Sequence, residues 1–109
     1  MQNYTLEIGG KEYALVLKTR NLVALERKIG MNPLDILTGD HLAPVNVQLE
    51  VLTEAFRANH PGMDRERVMD LIDQYIADGH AMIDLLGVIV EIYNASGLVQ
   101  TGAGDEKNA

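Results

Sequence analysis

YTLEIGGKEYALVLKTRNLVALERKIGMNPLDIL, residues 4–37, is the most specific stretch of this chain. Tyr4, Leu6 and Ile8 alternate with Thr5 and Glu7, and Tyr13, Leu15 and Leu17 alternate with Glu12, Ala14 and Val16. Both runs have the two-residue period of a strand with one buried face. Gly9-Gly10 lies between them and accepts the positive φ of a tight hairpin turn. A two-residue turn pairs Leu6 with Tyr13 and Tyr4 with Leu15, so that all four share a face. A four-residue loop, Gly9 to Glu12, also keeps the faces matched, whereas a three-residue loop turns one strand over. Thr19 then stands as an N-cap. Leu22, Leu25 and Ile29 form a helical stripe, Arg27 and Lys28 complement the helix dipole, and Gly30 supplies the C-terminal stop. Asn32-Pro33 restarts a short helical turn, with Leu34, Ile36 and Leu37 apolar and Gly39 at its end.

Downstream the pattern is helical. Val45, Leu49, Leu52 and Phe56 form a narrow stripe on a helix running to about Ala58, which His60-Pro61-Gly62 breaks. Asp64 caps the next helix, with Val68, Leu71, Ile72, Tyr75 and Ile76 inward and Gly79 at its end. A last helix is expected from about Ala81 to Ser96, closed by Gly97. The expected fold is α+β: an N-terminal β-hairpin followed by a small bundle of four to five helices. Residues 1–98 form the single domain, and residues 99–109 a disordered tail with nothing large and apolar to anchor it.

Composition narrows the function. The chain has 109 residues, 47% hydrophobic but only 5% aromatic, so the core must come from Leu, Ile, Val and Met. No cysteine is present, which rules out disulfides and thiolate metal sites. The N-terminus lacks the basic and apolar regions of a signal peptide, and the apolar run Leu85–Tyr93 is too short to cross a bilayer. A cytoplasmic protein is expected. The formal charge is −7, unevenly spread: residues 1–30 sum to +2 and the remainder to −9. Such a chain repels phosphate backbones, so nucleic acid is not an expected partner, nor is a membrane.

Catalytic patterns are weak. His41, His60 and His80 fall at loops or helix boundaries, without metal-ligand spacing. Ser96 is the only serine and lacks the nucleophile-elbow setting. Glu66, Asp70 and Asp73 recur at i, i+4 and i+7, readable as a solvated face or as a dock for a cation or a basic partner. No cofactor, metal site or catalytic residue is assigned. The last helix stands out because Met82, Ile83, Leu85, Leu86, Val88, Ile89, Val90, Ile92 and Tyr93 cover most of its circumference. Either it is enclosed by the other helices, or one flank faces another chain, including a second copy of this one. Ile83, Leu86, Val90 and Tyr93 are the candidate partner-contact residues. Gly87, mid-helix, would allow close approach of another backbone. The hairpin edges are a secondary contact candidate.

The segment IGGKEYALVLKTRNLVALERKIGMNPLDIL resembles the tail assembly chaperones of long-tailed bacteriophages and prophages. The likeness continues through HPGMDRERVMDLIDQYIADG and ends near NASGLV. It implies a non-enzymatic protein of the host bacterial cytoplasm. Such a chaperone binds the tape-measure protein, keeps its apolar helices soluble, helps recruit tail-tube subunits, and leaves as the tube polymerises. Many such genes also give a longer frameshifted product, and Glu106-Lys107-Asn108 is compatible with a slippery A-AAA-AAC run. Two other expectations stand beside it: a small acidic adaptor or regulator, and a small enzyme using His60 or His80 with nearby carboxylates.

Overall fold

The computed structural model describes residues 1–38 and 42–99. The expectations for Gly39, for His41 and for the tail beyond residue 99 lie outside the described residues.

The chain folds into an α+β domain: a two-stranded antiparallel hairpin, then four α-helices, with a short 3-10 turn after the first. Strands β1 (Tyr4–Ile8) and β2 (Lys11–Leu15) pair in the two-residue-turn register, Leu6 opposite Tyr13 and Tyr4 opposite Leu15. Gly9 and Gly10 have φ of 60° and 79°, the left-handed conformation that both central residues of such a turn require. Leu6, Ile8, Tyr13 and Leu15 are buried, and Tyr4 packs at the margin of the same core. Alternation ends sooner than the sequence pattern suggests. Val16, expected to point outward, is buried, because the chain leaves the sheet after Leu15 and runs into the helical layer. There the Val16 N–H donates to the Ala55 carbonyl and the Leu17 N–H to the Ser96 hydroxyl oxygen.

Helix α1 (Thr19–Ile29) begins one residue earlier than expected. Lys18, not Thr19, is the N-cap, and the Asn21 side chain reaches back to accept the Lys18 N–H. Pro33–Leu37 forms the 3-10 turn, capped by Asn32, whose side chain accepts the Leu34 N–H. Helix α3 (Arg65–Ala77) is capped by Asp64 as expected. Gly30, Gly79 and Gly97 follow α1, α3 and α4 with positive φ, as the chain-reversing stops they were expected to be. Helix α4 is shorter than expected, Asp84–Ala95, with Ala81 to Ile83 lying in the turn before it.

The central element is α2 (Val45–Arg57), not α4. It packs against α1, α3, α4 and β2. Every residue from Gln48 to Phe56 except Glu50 is buried, which corrects the narrow stripe expected there. The polar members conceal this in the sequence. The Thr53 hydroxyl donates to the Leu49 carbonyl, which lets it be buried at little cost. Glu54 accepts from Lys28 at 2.8 Å and Arg57 at 3.1 Å, with Asn21 on its other oxygen at 3.4 Å. A second correction concerns methionine. Of the five, Met63 is in the core, whereas Met1, Met31, Met69 and Met82 are exposed.

Candidate functional site: an apolar groove beside α3

Along α3, side chains advance by roughly 100° per residue. This spacing puts Met69 and Ile76 on one line, Ile72 beside them toward the core, and Glu66, Asp70 and Asp73 on the adjoining line toward solvent. The structure follows this division. Val68 and Tyr75 are buried, Leu71 and Ile72 half-buried, and the three acids exposed. Ile76, expected inward, is instead 36% exposed, as is Met69. The N-terminal end of α2 brings Val45, 58% exposed, and the turn before α4 brings Met82, 40% exposed.

Between these elements runs a groove of about 270 Å³, walled by Val45, Leu49, Met69, Ile72, Met82 and Leu85. Its polar lining is sparse. Arg65 is engaged by Glu50 and by the Asn46 side-chain oxygen, so its charge is already matched. Asp73 takes part in no ion pair among the described residues. Gln48 is buried, and its amide N–H donates to the Ala43 carbonyl at 2.7 Å. The other amide atom, Oε1, is buried without a partner. Unmatched acceptors of this kind are rare in a folded core, and this one belongs to a groove-lining residue.

Two other depressions are less suited to an apolar ligand. A wider hollow of about 470 Å³ lies under the hairpin tip, lined by Lys11, Arg67, Asp70 and Gln74, with charges of both signs. A shallow one of about 170 Å³ lies between α1 and the 3-10 turn, beside exposed Val23 and Leu34. The hairpin tip is itself tied down. The Gly9 N–H donates to Asp78 at 2.7 Å, and Gln74 donates to the other Asp78 oxygen at 2.7 Å. These bonds, the Gly9 one foremost, hold the Asp78 carboxyl below the usual range.

The four residues expected to meet a partner differ in exposure. Ile83 is exposed next to Met82, Leu86 and Val90 are half-buried, and Tyr93 is fully buried. The Tyr93 hydroxyl donates to the Pro33 carbonyl at 2.7 Å, and burial pushes its pKa up to about 12. Tyr93 is therefore core and is withdrawn from the contact set. An apolar count around α4 could not separate it from the flank, because its one polar atom is satisfied internally. Gly87 faces open space, since a Cβ built there meets nothing within 4 Å, so no close approach occurs within this chain.

His60 and His80 pack on aromatic rings. His60 lies edge-on to Tyr13, with centroids 5.4 Å apart, and tilted against Phe56 at 6.0 Å. His80 stacks on Tyr75 at 4.0 Å. Among the described residues, no group of three or more His, Asp or Glu is arranged to hold a metal ion. No helix among them is long and apolar enough to cross a membrane. Ser96 uses its hydroxyl to accept the buried Leu17 N–H at 2.9 Å, a role that no local motif announced.

Fold and groove together define a small α+β domain with an exposed apolar cleft that Asp73 helps to line. The model of a family of unknown function, DUF6096, matches residues 2–108, and the chain belongs to that family. Comparison with curated proteins and with solved structures gives no match.

Proposed function

We propose that this protein is a non-enzymatic tail assembly chaperone of a phage or prophage, acting in the host bacterial cytoplasm. It binds the tape-measure protein and helps bring tail-tube subunits to it. The observation that supports this reading most is the exposure of Val45, Met69 and Met82 around one groove on an otherwise acidic domain. Contiguous apolar surface of this kind marks an interaction site rather than idle surface. Methionine suits a chaperone in particular, because its flexible, polarisable side chain adapts to many apolar shapes. The net charge of −7 keeps the free protein and its complexes dispersed. The resemblance of residues 8–37 to tail chaperones supports the tape-measure protein as the client.

A small acidic adaptor outside tail assembly is the second reading, supported by the same groove. Gene order and capture separate the two. A tail chaperone lies between tube and tape-measure genes and co-purifies with the tape-measure protein when both are expressed. An unrelated neighbourhood together with no capture by the folded protein would leave the adaptor reading in place.

A further inference from the structure

We infer that the α2–α3–α4 groove takes an amphipathic helix whose apolar stripe is flanked by lysine or arginine. This deepens the chaperone reading by naming the surface and the chemistry of the segment it holds.

Size gives the first argument. At about 270 Å³ the groove falls below the ~300–1,000 Å³ usual for small-molecule pockets. Its apolar, partly open form instead suits one or two large side chains presented at i and i+3 or i+4 by a docked helix. Two of its walls end in methionines, Met69 on α3 and Met82 before α4, which can reshape around different anchors.

Charge gives the second. Among the described residues, the one cation lining the groove, Arg65, is held by Glu50. Asp73 lines the groove and Glu66 lies one helical repeat away on the same side of α3, both exposed and outside every ion pair among the described residues, while Asp70 faces the hollow under the hairpin tip. Asp84 stands exposed at the start of α4. A helix seated on Met69 and Met82 therefore has unneutralised carboxylates alongside it. Basic flanks are attracted there and acidic flanks repelled. The buried, unmatched Oε1 of Gln48 gives the third argument. A polar hydrogen from an inserted anchor, such as a Trp or Tyr side chain, would complete it after a small side-chain shift.

The test uses the full chain and two fluorescent 20-residue peptides with the same Leu/Ile/Trp helical stripe, one flanked by Lys and Arg, the other by Glu. Fluorescence polarisation should show the basic peptide binding at least tenfold more tightly, with the gap narrowing in 0.5 M salt. Met69→Glu and Met82→Glu alter exposed side chains, so circular dichroism should remain that of the parent while binding falls at least tenfold. Asp73→Lys, also at an exposed position, should narrow the preference between peptides, and it tests the charge argument should either methionine variant unfold. Equal affinity for both peptides, or binding indifferent to folded Met69→Glu and Met82→Glu, would overturn the inference. So would a self-association that Met82→Glu abolishes in a protein that binds neither peptide, since a second copy would then be the occupant. Peptide binding without capture of the tape-measure protein leaves the groove and removes the chaperone reading. Capture unaffected by the groove variants does the reverse.

Discussion

Single polar atoms hold the layers of this domain together, and Ser96 shows it most simply. Its hydroxyl is the partner of the Leu17 N–H, where the chain leaves the sheet and is no longer served by a strand neighbour. Ser96→Ala strands that buried donor and should cost about 1–3 kcal/mol, read as a lower midpoint in urea unfolding at unchanged slope. A change within a few tenths of that midpoint's error would mean that water or another group takes over. Glu54 is the second such residue. Burial acts to raise its pKa, but hydrogen bonds from Lys28 and Asn21 and the charges of Lys28 and Arg57 outweigh it, so the folded value lies below the ordinary one. A depressed folded pKa means that the stabilisation is present above the unfolded value near 4.5 and is lost as pH falls through the folded value. Glu54→Gln should therefore lower the melting temperature at pH 7 and flatten its fall in acid. Parallel melting curves for parent and variant between pH 7 and pH 3 would show that Glu54 does not titrate as described.

At the scale of elements, the hairpin was legible down to its register, because a Gly-Gly turn and two-residue alternation leave few alternatives. The Asn32 and Asp64 caps and the glycine stops after α1, α3 and α4 were equally legible, being local chemistry, whereas the α1 cap was misplaced by one residue. Rank among the helices was not. Helix α4 is apolar almost all round, enclosed or with one flank facing another chain, whereas α2, carrying Gln48, Glu50, Thr53 and Glu54, shows only a narrow apolar stripe. In the structure α2 is the central helix, since Thr53 and Glu54 are satisfied by partners that periodicity does not reveal, one of them 26 residues distant in Lys28. The same limit placed Tyr93 among the contacts. Gly87 on α4 allows a direct check. It is helical, exposed and has open space around it, so Gly87→Ala should stabilise the free protein by up to about 1 kcal/mol. A melting temperature that does not rise would mean that this stretch of α4 is covered in the free protein, for instance by a second copy.

For the whole molecule, the arrangement of charge and apolar surface matters more than any one side chain. The first thirty residues carry a small positive balance and the rest a strong negative one. The groove lies wholly in the acidic part, formed by α2, α3 and the start of α4. Its location was only partly legible. Ile83 marks its neighbourhood, but the methionines that wall it read in the sequence as core, and only the packing shows Met69 and Met82 at the surface. A domain that leaves flexible apolar side chains exposed among acids is suited to hold apolar helices in solution without altering them. The most direct measurement is the soluble fraction of the tape-measure protein, expressed from its own gene neighbourhood with and without this chain. Soluble tape-measure protein that co-elutes with the chain on size exclusion, and returns to the pellet with Met69→Glu/Met82→Glu, is expected. Tape-measure protein that stays in the pellet beside abundant, folded parent chain would contradict the chaperone reading.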